Sequence, residues 1–117
     1  MPDAIHEALE PLFEPLQLNG AALVNRFVMP GMQRGWCTQG RPDSRLADYY
    51  GARARGGVGL IITEACAVDH GSATQGPFYG RLTRETIDGW RDCIAAAHEG
   101  GAHMLVQLWH EGAIRRS

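Results

Sequence analysis

Short apolar runs of strand length occur at three places along the chain. They are Phe27–Met32, Gly59–Ala65 and Met104–Trp109. The second run is β-branched and apolar at successive positions, which is typical of a strand covered on both faces. The pattern therefore predicts three strands of a buried sheet.

Two amphipathic segments separate these strands and predict two helices. Asp43 or Ser44 can cap the first helix, and Gly56-Gly57 stops it. Thr83 is a good N-cap for the second helix. The apolar stripe of this second helix consists of Ile87, Trp90, Ile94 and Ala97, before Gly100-Gly101.

The remaining segments predict turns and loops. The Asn19-Gly20 pair supplies the two positive φ values of a tight turn, which predicts a β-hairpin over residues 16–24. Polar loops are predicted from Gln33 to Pro42 and from about Asp69 to Gly80. The order hairpin, β, α, β, α, β predicts an α/β fold with a parallel sheet and right-handed crossovers. No linker divides residues 1–117, so a single domain is expected.

Ligands of such sheets bind beyond the carboxyl ends of the strands, and Gln107 is the most informative residue there. Alternation places Leu105, Gln107 and Trp109 on one face of the third strand. An unpaired amide in a buried strand costs about 1–3 kcal/mol, so Gln107 needs partners. Two interpretations are open: a core glutamine bonded to neighbouring backbone, or an amide that binds the edge of a heterocycle.

Other residues near the strand ends could also carry chemistry. Ala65 is small enough to let a flat ring approach, although alanine is common in any strand. Glu64 points by alternation towards the helix layer, where pairing with an arginine is favoured over catalysis. His110 follows the third strand and either contacts a substrate or bonds locally. The glycines of segment 56–59 precede their strand, which indicates a helix stop and not a dinucleotide-binding loop.

Composition excludes several functional classes. The 117 residues carry a formal net charge of −2, which gives no basic surface for nucleic acid. The apolar runs are too short for a membrane span and the N-terminus lacks signal-peptide features, so a cytoplasmic protein is expected. The spacing of the three cysteines predicts reduced thiols, with neither a disulfide scaffold nor a metal site. Lysine is absent, which excludes Schiff-base chemistry within the chain.

Six segments, taken in order, resemble the old yellow enzyme family of FMN-dependent ene-reductases and related NAD(P)H:flavin oxidoreductases. Each segment is weak alone, but their order and spacing make the match strong, and it covers nearly the whole chain. The segments are Leu12–Leu16, Asn25–Met29, Asp48–Tyr50 with Arg53, Gly59–Ala65, Gly89-Trp90 and Gln107–Gly112.

The resemblance implies a (β/α)₈ barrel whose bottom is plugged by the hairpin and whose mouth binds FMN. The chain would supply the N-terminal portion of this single domain: the hairpin, three strands and two helices. Ala65 would lie against the flavin, and Gln107 would bond its pyrimidine edge. The loop after the first strand would contact the isoalloxazine through Pro30, Gly31, Met32 and Gln33.

The family's activity passes reducing equivalents from NADH or NADPH through FMN to an activated alkene, such as an enone, or a related acceptor. By the family pattern its catalytic residues lie beyond Ser117, so none is expected within this chain. Three strands of the eight in a barrel suggest an N-terminal fragment that is not competent alone. Gln33 stands where the family usually has Thr or Cys, and Ala113 where arginine is frequent.

Two other hypotheses remain. The chain could be a non-catalytic short product that assembles with a C-terminal barrel half or self-associates through its open strand edge. It could also be a self-contained, flavodoxin-like, three-layer domain, which would need a helix covering the third strand.

Overall fold

The structure, a computed structural model, describes residues 2–114. Its helices are α1 (Pro2–Phe13), α2 (Ser44–Arg55) and α3 (Ile87–Glu99), and a 3₁₀ turn spans Gly112–Ile114. Its strands are β1 (Leu16–Leu18), β2 (Ala21–Leu23), β3 (Val28–Met29), β4 (Cys37–Thr38), β5 (Arg41–Pro42), β6 (Leu60–Ala67), β7 (Gly80–Arg81) and β8 (His103–Trp109).

The main sheet is parallel and is centred on β6. Its amino end pairs with β3 along one edge, β7 pairs with its carboxyl end, and β8 follows it along the other edge. The α/β class and the parallel sheet are therefore confirmed. The order β3-β6-β8 is that of successive strands in a barrel, whereas a flavodoxin-like sheet would reverse direction after its second strand.

The hydrophobic core lies between β6 and the two long helices, α2 and α3. Its largest fully buried members are Trp90, Tyr50 and Leu46, each at most 1% exposed. Both faces of β8 are partly exposed, since Leu105 is 54% exposed on one face and Leu108 is 59% exposed on the other. The sheet is thus covered fully at β6 and only in part at β8.

The predicted β-hairpin is present as β1 and β2. Asn19 (φ 47°) and Gly20 (φ 85°) form its turn, as the two positive φ values required. Leu23 is buried, and the Ala22 carbonyl lies 3.0 Å from His103 Nε2 at the start of β8. The hairpin therefore lies at the amino ends of the strands.

Three elements differ from the sequence prediction. Helix α1 was not expected; its last turn meets the segment before β3, where the Arg26 N–H donates to the Leu12 carbonyl. The predicted loop 33–42 contains the small hairpin β4–β5, turned by Gln39 (φ 50°) and Gly40 (φ 81°). The first strand spans only Val28–Met29, because Pro30 cannot donate a ladder hydrogen bond.

The second long helix begins three residues later than predicted. Thr86, not Thr83, is the N-cap of α3. Its hydroxyl donates to the Arg81 carbonyl at 2.6 Å and accepts the Thr83 N–H at 3.0 Å. The hydroxyl is therefore used by the preceding loop and not by the helix. Trp90 of the predicted stripe is buried, whereas Ile87 is 39% exposed.

Candidate functional site

A β-bulge in β6 shapes the carboxyl end of the sheet. Ile62 is paired with Leu105 and Ala65 with Gln107, so residues 63–64 of β6 oppose one residue of β8. The extra residue shifts the alternation of side chains by one position. Ala65 therefore lies on the same face as Ile62, directly beside Gln107.

The loop after β3 passes against this bulge at Gly31. A Cβ atom on Gly31 would lie 2.4 Å from the Thr63 carbonyl oxygen and 3.1 Å from Gln107 Nε2. The first contact is with rigid backbone, so no other residue fits without a shift of the chain. The structure thus brings Gly31, Ala65 and Gln107 together, in agreement with their expected positions at one edge of the sheet.

The side chain of Gln107 is exposed, which corrects the expectation that it is buried. Its backbone N–H donates to Thr63 Oγ1 at 3.0 Å, which fixes the strand at the bulge. The side-chain amide has no hydrogen-bond partner within residues 2–114. Its donor and acceptor are both available on the uncovered face of the sheet, above Gly31.

Glu64, the second bulge residue, is fully buried. Its Oε2 accepts the side-chain amide of Gln33 at 2.7 Å, and its Oε1 accepts the backbone N–H of Arg34 at 3.3 Å. Burial raises the pKa of Glu64 to about 7, although the N–H and the charge of Arg34 oppose the shift. The expected side-chain pair with an arginine is wrong, because the Arg34 guanidinium stacks on Trp36 and Tyr49 instead.

The groups below Glu64 form an uncharged layer. The backbone N–H of Glu64 donates to the Tyr50 hydroxyl at 2.9 Å, and burial raises the pKa of that phenol. Cys37, Cys66 and Cys93 are free and buried, and burial raises the pKa of each thiol to about 12. A thiol of this kind is an inert apolar side chain.

The structure also gives the surroundings of the other predicted site residues. Pro30 is exposed and Met32 is 48% exposed on the loop. His110 Nδ1 accepts the Gly112 N–H at 2.8 Å, and its Nε2 lies 3.1 Å from Ser72 Oγ. Both ring nitrogens are therefore engaged by neighbouring loops, as the local hydrogen-bonding interpretation of His110 expects.

Two further features concern the described part of the chain. No group of three or more His, Cys, Asp or Glu side chains between residues 6 and 114 is arranged to hold a metal ion. None of the helices in that range has the length and apolar character needed to cross a membrane.

Sequence reasoning missed the bulge and the Gln33–Glu64 pair. The one available signal was an acidic residue inside an apolar strand, which must find buried partners. The partners lie about thirty positions earlier in the chain, and no local pattern identifies them.

Comparison with known proteins gives consistent results. The sequence model of the NADH:flavin oxidoreductase / NADH oxidase family matches residues 11–116. A 12-oxophytodienoate reductase-like protein of Solanum lycopersicum is 34% identical over 104 residues, which are 89% of this chain and 29% of that protein. The NADH oxidase of Thermoanaerobacter brockii is 37% identical over 103 residues, covering 86% of this chain and 16% of that protein.

Solved structures agree with these sequence matches. The old yellow enzyme homologue from Zymomonas mobilis superposes with a TM-score of 0.80 at 29% identity, over 91% of this chain and 30% of the other. Morphinone reductase superposes with a TM-score of 0.79 at 32% identity, over 89% of this chain and 28% of the other. The chain thus spans less than a third of the length of these relatives.

Proposed function

Because the chain belongs to the NADH:flavin oxidoreductase / NADH oxidase family, we propose that it forms the flavin-facing part of an FMN-dependent oxidoreductase. The old yellow enzyme-type members of this family use FMN with NADH or NADPH as reductant, as the resemblance implied. We further propose that the acceptor is an activated alkene, such as an enone, or a related compound. Relatives named as an alkene reductase and as 12-oxophytodienoate reductases support this substrate class.

The unpaired amide of Gln107 is the observation that carries the proposal. It lies beside the small side chain of Ala65 and above the close contact of Gly31 with the bulge. A flat heterocycle with alternating donors and acceptors satisfies such an amide, and its ring needs a floor without large side chains. These residues therefore fit the pyrimidine edge of an isoalloxazine.

The roles proposed for this chain's residues are binding and orientation. Gln107 would hold the ring edge, Ala65 would lie against the ring, and the loop of Pro30, Gly31, Met32 and Gln33 would contact it mainly through backbone. FMN, when bound, supplies the hydride chemistry, while the protein sets its orientation and electrostatic surroundings. The proposed barrel would place the site at the carboxyl ends of the strands, where barrel enzymes bind their ligands.

The test uses the whole polypeptide that the gene encodes. A flavin absorbance spectrum after purification, with oxidation of NADPH or NADH that depends on an enone, is the expected result. Gln107→Met should weaken FMN binding about 10-fold or more, the size of a lost pair of hydrogen bonds. Gln17→Met, on the exposed strand β1, is the matched control and should bind as the unchanged protein does. Equal affinities for the two variants would contradict the role of Gln107.

A second candidate, an assembly module without its own catalysis, is favoured by one observation. Leu105 and Leu108 are exposed on opposite faces of β8, which is the last strand of the described sheet. Uncovered apolar strand surface of this kind pairs with further chain. The same feature would serve a working barrel and a separate partner half.

A further inference from the structure

A single buried side chain, Glu64, fastens the loop after β3 to the sheet. Both of its carboxyl oxygens are occupied by that loop, one by the Gln33 side chain at 2.7 Å and the other by the Arg34 backbone at 3.3 Å. Neither contact belongs to a helix or a strand ladder. The segment that carries Gly31 is therefore held by Glu64 on one side of the bulge and by close packing against Thr63 on the other.

Glu64 is itself fixed from the helix layer. Its N–H donates to the Tyr50 hydroxyl at 2.9 Å, and its carbonyl accepts the Thr63 hydroxyl at 2.9 Å. Tyr50 is 1% exposed in the core of α2. The carboxyl group of Glu64 thus links an exposed loop to the rigid core and fixes the position of the loop relative to it.

We propose that Glu64 is a positioning residue for the flavin site: as a carboxylate it holds residues 31–34 in place, and on protonation it releases one of its two loop contacts. The inference rests on the proposed function, which assigns this loop to FMN. The reason is the number of N–H donors that each protonation state of the carboxyl group can accept. A carboxylate accepts at both oxygens, whereas a carboxylic acid presents an O–H at one of them. One N–H contact is then lost: either the Arg34 N–H loses its acceptor, or the Gln33 amide must turn its oxygen towards the O–H.

Among the ionisable groups packed around its carboxyl, Glu64 is the group whose ionisation changes near neutral pH. Arg34 supplies the cationic charge, and Tyr50 approaches from α2. The other neighbours are the thiols of Cys37 on β4, Cys66 on β6 and Cys93 on α3, whose pKa values burial raises to about 12. Because burial raises the pKa of Glu64 to about 7, its ionisation falls in the physiological range.

Gln33 completes the arrangement. It stands where the resembling family usually has Thr or Cys, and its amide N–H is committed to Glu64 at 2.7 Å. The side chain of residue 33 is therefore expected to act on the flavin site indirectly, through its hydrogen bond with the buried carboxyl group of Glu64. Replacing Gln33 would break the contact from an exposed position and leave the core intact.

The first experiment measures the Kd of FMN by flavin fluorescence at pH 6 and pH 8 with the full-length polypeptide. We expect the Kd of the unchanged protein to fall about 5- to 10-fold between these pH values, the size of one hydrogen bond. Glu64→Gln should show no such fall and should keep the weaker affinity. Riboflavin is measured in parallel, because the FMN phosphate also ionises near pH 6.

Glu111→Gln is the matched control. Glu111 also bonds a loop at this edge of the sheet, since its Oε1 accepts the Thr74 hydroxyl at 2.8 Å, but it makes no contact with Gln33 or Arg34. The control should retain the full pH dependence. The same pH dependence in Glu64→Gln and in the control would overturn the inference.

A second readout needs no flavin. Hydrogen exchange at the Arg34 amide of the apoprotein, corrected for the intrinsic rate, should slow between pH 6 and pH 8 in the unchanged protein and not in Glu64→Gln. The same pH dependence of exchange in the unchanged protein and in Glu64→Gln would show that the carboxylate of Glu64 does not hold the loop in place. If the unchanged protein binds no flavin, the proposed function fails, while the exchange profile still decides the role of Glu64.

A loop-side variant covers the case in which Glu64→Gln does not fold. Gln33→Leu removes the amide donor at an exposed position, so the fold should persist, as circular dichroism would verify. It should weaken FMN binding about 5-fold and flatten the pH profile. An unchanged profile in Gln33→Leu would contradict the inference in the same way.

Discussion

At the scale of single residues, the site depends on space as much as on polar groups. Gly31 has no unusual backbone conformation, yet its missing Cβ is what lets the loop after β3 reach the bulge. A steric requirement of this kind is invisible in the sequence, where Gly31 looks like an ordinary turn residue.

Gly31→Ala should therefore destabilise the fold by about 1–3 kcal/mol, the cost of forcing atoms into a packed site. The new methyl group would lie 2.4 Å from the Thr63 carbonyl oxygen, and backbone must move to accept it. Urea denaturation measures the change. Gly71→Ala is the control, because nothing lies within 4 Å of its Cβ position, and it should stay within about 0.5 kcal/mol. Equal effects of the two variants would show that the close contact is not formed.

Glu64 also predicts how stability depends on pH. Its pKa is about 7 in the folded state, whereas the ordinary value, which applies to the unfolded chain, is 4.5. The folded protein therefore binds more protons between these values, and its stability falls as the pH rises through that window. Relative to Glu64→Gln, the free energy of unfolding should fall by up to about 3 kcal/mol between pH 4 and pH 8. Parallel urea curves for the two proteins at every pH would contradict the raised pKa.

At the scale of elements, hydroxyl groups and turn residues decide where segments begin. The Asn19-Gly20 hairpin formed where its sequence predicts it, because the two positive φ values are a local requirement. The predicted start of α3 was wrong by three residues, because the local sequence favours Thr83 and Thr86 equally as the N-cap. The Arg81 carbonyl, which Thr86 satisfies, decides between them.

The variants Thr86→Val and Thr83→Val test this assignment, since both preserve shape and remove a hydroxyl. Thr86 is 4% exposed, and its loss would leave the Thr83 N–H without its acceptor and the Arg81 carbonyl with the Trp90 indole N–H as its remaining side-chain donor. We expect Thr86→Val to cost about 1–3 kcal/mol and Thr83→Val less than about 1 kcal/mol in thermal or urea unfolding. A larger loss of stability in Thr83→Val than in Thr86→Val would contradict this assignment and support Thr83 as the N-cap of α3.

At the scale of the whole molecule, the sheet is incomplete on one side. The described strands cover β6 on both edges, whereas β8 pairs only with β6 and exposes Leu105 and Leu108. An open edge with apolar side chains associates with other chain surface.

The 117-residue chain expressed by itself should therefore self-associate as its concentration rises. Leu108→Glu places a charge on this surface and should raise the dissociation constant about 10-fold or more in sedimentation equilibrium. Val24→Glu is the control, because Val24 is 55% exposed at the hairpin, away from the strand β8. A monomer at all concentrations, or equal effects of both variants, would contradict association through β8.

The sequence by itself determined the features that depend on neighbouring residues. Periodicity identified the two long helices and two of the three principal strands, and the order of elements predicted the parallel sheet. The quoted segments identified the family, which the matches over residues 11–116 confirm. These features follow from local backbone preference and from the burial of one face, both of which are written in consecutive positions.

Only the tertiary structure decided how the site is held. The contact of Gly31 with Thr63 and the Gln33–Glu64 bond join segments about thirty positions apart, and the bulge at residues 63–64 depends on pairing with β8 about forty positions later. Gln107 was expected to be buried and is exposed, because no other described segment covers that face of β8 at this position. Distances between remote segments depend on how all the elements pack together, and no local pattern contains them.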